Sequence, residues 1–179
     1  MFRDAQSALL FAMNYADRDH GNAAAAERSI ALYGPDRYER EAIQGHGLRG
    51  EDAAAQAGMI LSRIQQLPPL LQAELTARYT RINVKTRQAA CHLLALRARD
   101  ALPCELPVIV LLLRRHYGLR VDHGRIADQQ DVHLQTVRRW QLQANRWIRP
   151  ISQRAIDEAE KLLEQAGITE PVDSARLGR

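Results

Sequence analysis

Cysteine is almost missing from this chain: Cys91 and Cys104 are the only two in 179 residues. So few exclude a disulfide scaffold, and neither they nor His92, His116 and His123 show the paired short spacing of zinc ligands. No metal and no cofactor is expected, and both cysteines read as small, reduced core residues. Long apolar runs are lacking too. The longest, 106–113, falls far short of the ~20 residues that cross a bilayer. Met1-Phe2-Arg3-Asp4 does not begin a secretion signal, so a cytoplasmic protein without a membrane partner is expected. There is no Gly-rich phosphate loop, no nucleophile elbow and no His-Glu pair at metalloprotease spacing. The acids Glu39, Glu41, Glu51 and Asp52 flank an irregular glycine-rich stretch and read as solvated, so the chain is not expected to be an enzyme.

Aromatics make up 5% of the residues and β-branched side chains are sparse, which argues against sheet. Ala, Leu, Arg, Gln and Glu dominate instead, and their intrinsic preference is helical. The expected fold is all-α, a helical bundle with a carboxy-terminal helix-turn-helix. Three regions are expected: a helical part over 1–80 with an irregular loop at 35–50, a basic part over 81–167, and a flexible tail over 168–179. Apolar spacing predicts helices over 2–16, 22–33, 51–67, 69–79 and 85–101, the last presenting Ala89, Leu93, Leu94 and Leu96. Residues 107–117 are apolar nearly all round, as a central buried helix requires, and Gly118 stands where a left-handed cap belongs.

Charge is unevenly spread. Residues 1–75 hold seven arginines and ten acids, a net −3, and residues 155–179 hold three basic groups and six acids, again −3. Between 76 and 154 there are fifteen Lys or Arg against five acids, a net +10. A basic block of this kind is the electrostatic footprint of a polyanion binder.

At its centre lies Ile126 to Trp140, IADQQDVHLQTVRRW. Asp122 can cap a short helix over 124–130, a turn follows at Asp131-Val132, and a second helix is predicted from about His133 to Trp147, with Val137 and Trp140 inward. Position 131 needs a positive φ, which Asp tolerates better than most residues. Pro150 and Ser152 are expected to restart the chain as a last helix over 153–165. If the pair of helices is a helix-turn-helix, Gln135, Thr136 and Arg139 are the candidates for base edges, Arg pairing two-handed with guanine and Gln with adenine. Arg125, Arg138, Arg146 and Arg149 would hold phosphates, and Gln143 completes the polar face. The plain alternative is two helices and a turn with no special role.

Residues 126–163 resemble the promoter-reading last domain of sigma factors and the related phage late-gene activators. The opening Phe2-Arg3-Asp4-Ala5-Gln6, with Ala57-Gly58-Met59-Ile60-Leu61 and Leu75-Thr76-Ala77-Arg78-Tyr79, is similar to the Q antiterminators of lambdoid phages. That resemblance implies a transcription regulator that binds double-stranded DNA beside a late promoter, loads onto RNA polymerase paused with sigma factor, and passes terminators. It carries Gln135, Thr136, Arg138 and Arg139 over as DNA contacts. The chain departs from the pattern in lacking paired cysteines and in the long approach, 85–117, to the motif. The alternative expectation is a phage DNA-packaging adaptor of the small-terminase kind, or an architectural DNA-binding adaptor, with an oligomer open to either reading.

Overall fold

Helix formation follows the composition. The computed structural model describes residues 2–19 and 50–170, and these form seven helices: α1 (Ala5–Asp19), α2 (Gly50–Ile64), α3 (Pro69–Tyr79), α4 (Val84–Ala98), α5 (Leu106–His116), α6 (His123–Gln129) and α7 (Leu134–Gln165). The class is all-α, and no described helix is long and apolar enough to cross a membrane. The helix expected over 22–33 and most of the loop over 35–50 lie outside the described residues, as does 171–179.

The described residues divide into two compact units that do not follow the expected chain order of 1–80, 81–167 and 168–179. The first comprises α1, α2, the link Tyr79–Asn83 and the chain from Ile156 onward. Here α1 packs on α2, burying Leu9, Leu10 and Phe11 of one and Ala53, Ala57, Ile60 and Ile64 of the other. Met59 of α2 is half exposed.

Asn14, fully buried, links two parts of this unit. Its amide nitrogen donates to the carbonyls of Leu10 (2.7 Å) and Tyr79 (2.9 Å), while its oxygen accepts from the backbone N–H of Arg81 (2.6 Å) and Ile82 (3.0 Å). All its hydrogen-bonding capacity is thus met on burial, which avoids the roughly 1–3 kcal/mol cost of an orphaned polar group. Ile168 and Thr169, expected in a loose tail, are instead buried, and Phe2 pairs with them through its N–H to Ile168 (3.0 Å) and its carbonyl to the N–H of Glu170 (3.3 Å). The cause is Phe2 itself, whose ring packs 5.3 Å from that of Phe11 and draws its backbone against this strand-like segment.

The second unit comprises Pro69–Arg78 and Val84–Ala155. Its core is built on α5, as expected, with Val108, Ile109, Val110, Leu112 and Leu113 buried. The face that α4 buries is rotated from the expected one. Ala90, Cys91, Leu94, Ala95 and Ala98 are inward, whereas Leu93 and Leu96 are exposed. Small side chains let α4 approach the bulky apolar α5 closely, so packing volume overrides hydrophobicity residue by residue. Burial pushes both thiols up from their ordinary 9.0 to about 11, which keeps them protonated near neutral pH, Cys91 inside the core and Cys104 partly buried against it.

Pro150 does not end a helix. α7 runs unbroken through it, contrary to the expected break and restart at 153. Pro150 and Arg146 both lie on the exposed face, where water is available to the Arg146 carbonyl that loses its N–H partner. Two residues on, buried Ser152 donates its hydroxyl to Glu74 of α3 and accepts from Arg78 (2.8 Å), which itself pairs with Glu74 at 2.9 Å. Ser152 is therefore a mid-helix anchor rather than a helix start.

Candidate nucleic-acid interface

The turn between α6 and α7 is set by local chemistry. Asp122 caps α6, its carboxylate accepting the Gly124 N–H at 2.8 Å. Asp131 takes φ +49°, the one positive value among described residues other than glycine. Around it the Val132 N–H closes on the Ala127 carbonyl (3.0 Å) and the Asp131 N–H on that of Asp128 (3.4 Å), the double closure of a Schellman motif. Val132, Ile126 and Ala127 meet in the core, which supplies the apolar contact of that motif and offsets the roughly 1–2 kcal/mol that a left-handed Asp costs. α7 begins at Leu134, one residue later than expected, with His133 as its cap: Nδ1 accepts the Gln135 N–H at 3.2 Å and the backbone carbonyl accepts that of Thr136 at 2.8 Å.

A polar chain holds α6, α5 and α7 together. Gln141, 9% exposed, accepts from His123 Nε2 (3.2 Å) and donates to the Leu112 carbonyl (3.2 Å) and to Asn145 Oδ1 (2.9 Å), which also accepts from His116 Nδ1 (2.9 Å). Each amide group has a partner, so the chain adds register at little desolvation cost.

That register decides which side chains of α7 face out. Val137, Gln141, Ala144, Ile148, Ser152 and Ala155 are buried, at three- and four-residue steps. On the opposite side Gln135, Arg139, Gln143 and Arg146 share one exposed face, with Arg138 and Arg149 along its edge. Thr136 does not join them. It is half buried on the flank that carries Trp140 and Trp147, both partly buried against the core's rim rather than within it. Arg125 stands on α6, exposed, in a different setting from the α7 face.

Three neighbours escaped sequence reasoning. Leu142 is 58% exposed in the middle of the arginine-bearing side, where a lone leucine in a polar stretch carries no signal of its own. Arg115 and Arg120 join Arg125 around a cleft of about 1020 Å³ beneath α6. They belong to the +10 block, which was the signal available, but only the folded loop brings them beside Arg125.

Electrostatically the surface is uncompensated. Among the described residues Arg120, Arg125, Arg138, Arg139, Arg146 and Arg149 are all exposed and none forms an ion pair, whereas Arg78 pairs with Glu74. Exposed guanidiniums left free of carboxylates keep their full charge and all five donors for an outside anion. Among the described residues no group of three or more His, Cys, Asp or Glu is placed to hold a metal ion. No family model matches the chain, and neither does any curated protein or solved structure.

Proposed function

We propose that α6, the turn at Asp131 and the first half of α7 are a helix-turn-helix that binds duplex DNA. The observation that carries this reading is the face of α7: Gln135, Arg138, Arg139, Gln143, Arg146 and Arg149 exposed on a helix whose other side is anchored in the core. A rigid helix of this composition suits the major groove, with Gln135 and Arg139 toward base edges and Arg138, Arg146 and Arg149 toward phosphates. Leu142 offers the apolar contact that a thymine methyl takes. Half-buried Thr136 moves to the edge of the proposed contact set, and Arg125 serves the backbone from α6.

On this reading the protein is a transcription regulator of the phage antiterminator kind, with RNA polymerase and sigma factor as partners; that part rests on the resemblance of 2–6, 57–79 and 126–163. A packaging or architectural adaptor would use the same face without polymerase. Replacing Arg138 and Arg139 with Ala should weaken duplex binding and lower its salt slope by about 0.9, the share of the phosphate contact at Arg138, while loss of Arg139 relaxes the choice of base. Unchanged binding and slope would sink the interface. Co-sedimentation with RNA polymerase holoenzyme separates regulator from adaptor, since an adaptor has no reason to bind it.

A further inference from the structure

The α7 face does not use all of the basic surface. The cleft beneath α6 has Arg115 of α5, Arg120 of the following loop and Arg125 of α6 at its edges, over an apolar floor that includes Leu119 and Ile126. Its one carboxylate, Asp122, is engaged in capping α6, so three guanidiniums face a single acid. Arg115 is held in place, donating from Nη1 to the Val121 carbonyl at 2.5 Å, while Arg120 and Arg125 have no partner among the described residues. The volume, about 1020 Å³, lies just above the roughly 300–1,000 Å³ of small-ligand sites, and its arginines are solvent-exposed. A single free phosphate at such an open site gains little over water, whereas a polyanion gains by releasing condensed counterions at every contact.

We propose that this cleft is a second phosphate-binding element, taking backbone phosphates of the duplex beside the stretch read by α7. This rests on the DNA-binding reading above and extends it. The first helix of such a motif crosses the DNA backbone, and Arg125 lies on that helix. Arg120 and Arg115 continue the contact along the strand from there. The element adds affinity without sequence preference, because it meets only phosphates.

The test uses the full chain, a random-sequence duplex and inorganic tripolyphosphate. R120Q removes an exposed charge that holds no internal contact, and R115Q/R120Q removes two; circular dichroism and the melting midpoint should match the parent for R120Q. The salt slope of duplex binding should fall by about 0.9 for R120Q and nearly 2 for the double variant, with the same fold-loss on duplexes of unrelated sequence. A slope unchanged in both, while R138A/R139A lowers it, would overturn the cleft and leave the α7 interface standing. No salt-dependent duplex binding by the parent would overturn both. Saturable tripolyphosphate binding that R120Q abolishes, with the duplex slope unchanged, would assign the cleft to a free polyphosphate and overturn the proposal.

Discussion

Between 134 and 155, α7 carries five arginines and no carboxylate, whereas between 156 and 165 the same helix carries four carboxylates and one lysine. The backbone is continuous across the change, so helix formation did not require either set. Nor does the macrodipole, which favours acids near the amino end and cations near the carboxyl end, the reverse of what is found. The first turn has no acid and the last turn has no base. Among the described residues these arginines are exposed and form no ion pair, while Glu160 stands near Asp157 and Glu164. The basic part therefore owes its charge neither to the macrodipole nor to ion pairing among the described residues, whereas in the acidic part Lys161 pairs with Glu158.

The largest test of that contrast concerns the scaffold beneath the basic part. Ile148→Ala should cost about 2–5 kcal/mol, read as a lower denaturant midpoint, because Ile148 is wholly buried. On the opposite side Leu142→Ala should stay within about 0.5 kcal/mol. Equal losses would mean α7 lacks the two distinct faces that present the arginines. At the junction, Pro150→Ala should raise the melting midpoint. An interior proline costs about 3 kcal/mol in a helix, and Ala returns most of it after the roughly 0.4–1 kcal/mol that proline contributes by restricting the unfolded chain. A lower midpoint would show instead that Pro150 helps seat Ser152 on Glu74.

The smallest effect belongs to the acidic part. Partial burial, with Asp157, Glu164 and Asp4 close by, raises the Glu160 carboxyl above its ordinary 4.5. The folded chain therefore holds this proton longer than the unfolded chain. The resulting stability is present below pH 4.5 and is lost as pH rises through the raised value. Glu160→Gln should then stabilise slightly at neutral pH, and the gain should vanish in denaturant midpoints taken below pH 4.5. A gain independent of pH would show that crowding of the acids is not the cause.

Much of the second unit was legible in the chain. The all-round apolar stretch on α5 named its centre, and Gly118, at φ +79°, took the left-handed cap that its place after Arg114-Arg115-His116 suggested. Asp122 and Asp131 do what their chemistry indicates, since a capping carboxylate and a left-handed turn are local events. The α4 face was misplaced because hydrophobicity ranks Leu93 and Leu96 above Ala90, Ala95 and Ala98, while close packing on α5 ranks them the other way. Pro150 misled for a related reason: proline breaks a helix unless water can reach the carbonyl it orphans and the residues just beyond are anchored elsewhere. Asn14 and Gln141 gave no signal, and Ser152 only that of a helix start, because a polar residue looks exposed until its partners are known.

The class of fold, the turn at Asp131, the core on α5 and the basic stretch from 76 to 154 were determined by the sequence alone. Each depends on neighbours a few residues apart or on a sum over the chain. Which side of α7 faces out, that Thr136 leaves the polar face, that Leu142 joins it, and that Arg115 and Arg120 gather beside Arg125 were decided only by the tertiary structure. These follow from the rotation of one helix against a core and from a loop folding back on itself. A rotation of about 100° separates adjacent helical residues, and the Gln141 chain and the packing of Val137, Ala144 and Ile148 select that rotation.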